Sequence, residues 1–83
     1  MSLNIVSKDC FEFAVGCHIL GYYDEARKRR ADGRRSCTSD LEVKLYDWLC
    51  MSFLEDPESF FESLDQPDLL NNTMALLEDR DHY

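Results

Sequence analysis

Apolar residues recur along this chain with the helical period of about 3.6 residues, and nowhere with the alternation of a half-buried strand. From Lys8 onward, Phe11, Val15, His18, Ile19, Tyr22 and Ala26 share one helical face, and Cys10, Phe13, Cys17 and Leu20 share another. The densest pattern spans residues 40–54. Leu41, Leu45, Trp48 and Leu49 form one apolar face there, and Val43, Tyr46, Cys50, Phe53 and Leu54 form a second. A narrow wedge of Asp40, Lys44, Asp47 and Met51 is left for solvent. A helix apolar over most of its circumference is buried on more than one side. The pattern therefore predicts a central helix over 40–54, with Trp48 in the core. A short helix over 57–64 follows, with Phe60, Phe61 and Leu64 inward and Glu58, Glu62 and Asp65 outward. The last helix, over 67–79, carries the stripe Leu69, Leu70, Thr73, Leu76 and Leu77.

Local signals set the boundaries. Ser39 and Glu42 have capping-box spacing, and Asp40 adds negative charge at the positive helix end. Pro57 stops that helix and opens the next at its first position, with Asp56 as cap. Pro67 repeats the device, capped by Asp65 or Gln66. At the N-terminus, Ser7 is expected to cap the first helix, with Ile5 and Val6 as a staple and Asp9 in the first turn. Gly33 reads as a C-cap. Gly16 reads as a point of close helix approach. The segment Gly21-Tyr22-Tyr23-Asp24-Glu25-Ala26 resembles the turn inside a tetratricopeptide repeat. No second period of roughly 34 residues accompanies it, so it marks a joint and not a repeat. The expected fold is all-α: a small bundle of four helices, or five if the first breaks at Gly21, around the central helix 40–54. It forms a single domain over 1–83, with 1–6 and 80–83 as flexible ends.

Composition agrees with a folded domain, since 45% hydrophobic and 12% aromatic residues suffice for a core. No apolar run approaches the roughly 18 residues of a membrane span, and the N-terminus lacks a secretory pattern. A cytoplasmic, intracellular protein without membrane association is expected. Cys10, Cys17, Cys37 and Cys50 are then thiols, and none shows C-x-x-C spacing. They read as small buried hydrophobes.

The net charge of −8 is unevenly distributed. Residues 1–38 carry seven Lys/Arg against five Asp/Glu, and residues 39–83 carry two against twelve. Arg27, Lys28, Arg29, Arg30, Arg34 and Arg35 form a basic segment that suits phosphate contact. It also suits a solvated helix end beside an acidic half. Glu55, Asp56, Glu58, Glu62, Asp65 and Asp68 form an acidic set able to stand where a nucleic-acid backbone would lie. Cys17 and His18 are adjacent, but neighbouring helical residues point about 100° apart and so do not face each other. No phosphate loop, metal-ligand spacing or nucleophile motif is present. The expectation is a non-enzymatic protein–protein interaction module without cofactor or metal. Class-level analogy to small viral, phage or mobile-element proteins suggests an inhibitor or regulator of a nucleic-acid-handling complex, acting as a DNA mimic. The alternative is a nucleic-acid-binding module using 27–35. Tyr46, Met51 and Leu54 are expected at an apolar interface, serving a homodimer or a partner.

Overall fold

Asn4 starts the first helix. Its side-chain oxygen accepts the Ser7 N–H at 3.0 Å, so α1 spans Ile5–Ile19 in the computed structural model, which describes residues 2–80. Ser7, expected as the cap, is instead fully buried, and its hydroxyl donates to the Gly33 carbonyl of the second helix at 2.9 Å. Asn4 serves better at the end because its amide nitrogen also donates to Ser36 O at 2.9 Å and to Glu42 Oε2 at 2.7 Å. Residues 5 and 6 therefore belong to the helix and not to a flexible lead. Their side chains are exposed and form no staple, and Asp9 lies beyond the first turn.

Gly21 breaks the helical run, with φ +93, a conformation that costs glycine little. Helix α2 then spans Tyr23–Arg35, giving five helices in all among the described residues. The expected cap at Gly33 is corrected: α2 runs two residues further and is capped by Ser36. Gly33 is buried because the Tyr46 ring lies against its backbone; a Cβ there would sit 2.7 Å from Tyr46 Cζ.

Helix α3 spans Asp40–Glu55, and Ser39 Oγ accepts the Glu42 N–H at 3.2 Å as the capping box requires. The reciprocal half goes elsewhere. The Glu42 carboxylate accepts the Thr38 hydroxyl at 2.7 Å and the Thr38 N–H at 3.3 Å, besides Asn4. These bonds, Thr38 before Asn4, hold its pKa below the usual carboxylate value. Helix α4, Pro57–Ser63, is capped by Asp56, which accepts the Ser59 N–H at 3.3 Å. Asp65 adopts φ 50, and residues 67 and 68 form a turn, so α5 spans Leu69–Arg80 and not Pro67 onward. Of the tail expected to be flexible, Arg80 closes α5, and residues 81–83 lie outside the described residues.

Helix α1 is the one on which the other four pack. Phe11 carries this role: its ring meets Tyr46, Phe53 and Phe60 edge to face, at 5.8, 6.5 and 5.7 Å between centroids. Val15 and Leu69 complete that cluster, and Cys17, Ala26 and Leu77 form a smaller one. The expectation of a central α3 is therefore corrected, because α3 finds cover on one side only. Gly16 does permit close approach, since a Cβ there would come within 2.9 Å of Thr73 Cβ on α5. Helix α5 packs mainly on α1, which leaves Leu76, assigned to its core stripe, exposed.

Candidate interaction surface

Helix α3 has two apolar faces and a single packing layer. The face carrying Tyr46 and Phe53 turns to α1, where edge-to-face contacts with Phe11 are available. On the other face Leu45 and Leu49 are half-buried, with Leu49 packed against the core, whereas the outer side of α3 finds no cover among the described residues. Leu41, Trp48, Met51 and Leu54 are 56%, 63%, 65% and 46% exposed. Trp48 is thus a surface residue and not a core residue. Tyr46, expected at an interface, is 1% exposed and belongs to the core, because its ring fills the space between Phe11 and Gly33. Met51 and Leu54 are exposed.

All six residues of the acidic set are exposed, and none of them makes a salt bridge among the described residues. Glu55 lies four residues from Met51 and seven from Trp48, so helical spacing places all three on one face of α3. Asp56 is used as the α4 cap. Glu58 and Glu62 lie one turn apart on α4, and Asp65 and Asp68 occupy the turn before α5.

The basic segment is organised differently. Arg27 pairs with Asp24 at 3.6 Å, and Arg29 pairs with Glu25 at 3.1 Å while lying over the Phe13 ring. Arg34 clasps both oxygens of Asp47 at 2.9 and 3.2 Å, and Arg35 bonds Asp32. Arg30 has a buried guanidinium nitrogen without a hydrogen-bond partner, and Lys28 is exposed. Four of the nine basic residues are thus paired with four of the seventeen acids. Pairing removes equal numbers of each sign, so the surplus charge remains negative. Arg34–Asp47 joins the basic half to the acidic half; the other pairs lie within α2.

Burial pushes the Cys50 thiol up to about 11 and raises Cys10 as well, which disfavours the nucleophilic thiolate. Burial raises the Tyr46 phenol too. Its hydroxyl makes no hydrogen bond of full geometry, with the Cys50 thiol as a weak polar neighbour. Cys17 is fully buried. No group of three or more His, Cys, Asp or Glu among the described residues is placed to hold a metal ion. No helix among them is long and apolar enough to cross a membrane.

His18 is packed between rings, 4.9 Å from Tyr23 and 5.0 Å from Phe53. Burial first, and then Arg30, lowers its pKa from the ordinary 6.5. The neutral ring is therefore the folded form, while the unfolded chain takes up a proton below about 6.5. This contribution to stability is present above that pH and is lost as pH falls through the lowered folded value. Urea midpoints measured at pH 7 and pH 5 are expected to show the loss, and His18→Phe is expected to flatten it. An unchanged slope in the variant would assign the pH dependence elsewhere.

Trp48 and Leu41 carry the most exposed apolar area of the site that sequence reasoning had placed in the core. Periodicity shows that a helix has two apolar faces but not where around its circumference the cover ends. The missing signal was the supply of apolar area on the other helices. Comparison with protein-family models, with curated proteins and with solved structures finds no match.

Proposed function

We propose that this chain is a non-enzymatic module that works by binding another protein through the outer face of α3. The observation that carries the reading is the exposure of Trp48 and Met51 on one helix face, with the acid Glu55 beside them. Tryptophan in a central contact patch is a frequent anchor of binding energy, and an exposed apolar patch of a few hundred Å² marks an interaction site. Glu58 and Glu62 on the adjoining helix supply a charged rim, which steers encounter more than it holds the complex. Surplus negative charge favours a cationic partner, and proteins that handle nucleic acid present cationic surfaces to phosphates. Inhibition or regulation of such an assembly, by occupying its phosphate-binding surface, is the mechanism we favour. Direct binding of nucleic acid by 27–35 is disfavoured, because Arg27, Arg29, Arg34 and Arg35 already hold carboxylates.

Affinity capture followed by mass spectrometry is expected to recover a nucleic-acid-handling protein. Trp48→Asp with Met51→Asp should abolish capture at any salt concentration, by removing the apolar anchor. Glu58→Lys with Glu62→Lys should slow association several-fold at low salt and leave dissociation nearly unchanged. Salt-dependent binding of DNA or RNA, lost on neutralising Arg27, Lys28 and Arg35, would overturn the reading.

A further inference from the structure

Three depressions lie side by side around α1, α4 and α5. The first, about 330 Å³, is lined by Leu3 and Phe11, by Leu45 and Leu49 of α3, and by Phe60 and Leu64 of α4. The second, about 250 Å³, lies between α1 and α5, with Leu69 and Leu76 at its apolar wall and Asp9 and Glu12 at its polar edge. The third, about 310 Å³, lies between α4 and α5, with Phe61, Leu70, Glu62 and Asp65. Glu12 lines both the first and the second, and Gln66 lines both the second and the third. The Gln66 amide donates to Glu12 Oε1 at 3.5 Å where they meet, so the three form one discontinuous groove.

Its chemistry selects an occupant. The walls are leucine and phenylalanine, which take apolar anchors. Among the described residues the charged lining is Asp9, Glu12, Glu62 and Asp65 against the single cation Lys8. A second copy of this chain would bring a net charge of −8 to an acidic groove. Like charges brought together in this way disfavour self-association. A segment with apolar side chains at helical spacing and Lys or Arg between them satisfies walls and edges together.

We propose that this groove docks a basic amphipathic helix of the partner protein. The proposal rests on the protein-binding reading above and adds a second contact surface, apart from the exposed Trp48–Met51 face. Apolar side chains of the helix enter the Leu45–Phe60 depression, and its cations reach Glu12 and Glu62.

The test uses the full chain and a labelled synthetic peptide of about 18 residues, long enough to form a helix. Leucines stand at helical spacing and lysines fill the remaining positions. A second peptide carries glutamate in place of each lysine. Fluorescence anisotropy is expected to show saturable binding of the lysine peptide, and binding of the glutamate peptide weaker by about tenfold or more. Glu12→Lys with Glu62→Lys should weaken the lysine peptide to a similar degree. Leu45→Asp should abolish its binding in a protein whose circular dichroism is unchanged; the surface charge reversals keep the test decisive if Leu45→Asp unfolds. Equal binding of the two peptides, or binding indifferent to Glu12→Lys with Glu62→Lys, overturns the groove assignment. Binding lost only with Trp48→Asp also overturns it while leaving the protein-binding reading intact. A monomer–dimer equilibrium by sedimentation, broken by the same groove changes, would assign the groove to a second copy and overturn the proposal.

Discussion

Phe11→Ala should destabilise the fold by about 3–5 kcal/mol, the cost typical of emptying an aromatic site in a packed core. Phe11 is 4% exposed and meets three other rings, so surrounding groups cannot relax into the space without breaking contacts of their own. Typical stability per residue implies a total of about 4–12 kcal/mol for a chain of this length. The substitution therefore removes a large part of the whole, and chemical denaturation should show a collapsed or absent transition. Trp48→Ala is the matched control. With Trp48 63% exposed, its removal should shift stability by less than about 1 kcal/mol. A larger cost for Trp48→Ala than for Phe11→Ala would return α3 to the centre of the fold.

Gly33→Ala has the second largest expected effect, and its sign runs against the usual rule. Alanine in place of glycine within a helix ordinarily stabilises by about 1 kcal/mol. Here the new methyl would fall 2.7 Å from Cζ and 2.8 Å from Cε2 of Tyr46, a ring 1% exposed. The ring cannot swing away without displacing Phe11, so overpacking should cost about 1–3 kcal/mol net. In a Tyr46→Leu background the same alanine should cost less, because the ring it strikes is gone. That coupling, measured as a double-mutant cycle, separates a steric cause from altered helix propensity. A stabilising Gly33→Ala in the wild-type background would contradict the close packing of α2 on Tyr46.

These two cases also show what was legible in the residues. The caps at Ser39 and Asp56, the joint at Gly21 and the close approach at Gly16 follow from local stereochemistry, and the fold places each as expected. The role of Gly33 was not legible, because a helical glycine before a loop looks the same whether it ends the helix or receives a distant ring. The competition between Asn4 and Ser7 was likewise settled by acceptors at Ser36 and Glu42, far along the chain. The acidic set, Met51 and Leu54, read from spacing and charge as candidate contact residues, are all exposed. Tyr46 and Trp48 exchanged places, because both sit on apolar faces of one helix and only the packing partner distinguishes them. The grooves around Glu12 were invisible, since they arise where four separate helices leave space between them.

The position of Phe11 within the chain bears on the order of folding. During synthesis the helix that holds it emerges before the other four, and each later helix finds its docking surface already present. The hairpin of α1 and α2 needs only local closure and can form early and fast, as low-separation contacts do. The ties from Asn4 to Ser36 and Glu42 join residues that are all synthesised before α4 and α5. A circular permutant that moves residues 2–21 to the C-terminus should keep the same native contacts. It would leave every other helix waiting, with its apolar face open, for the last segment to arrive, and transiently exposed apolar surface of that kind promotes aggregation.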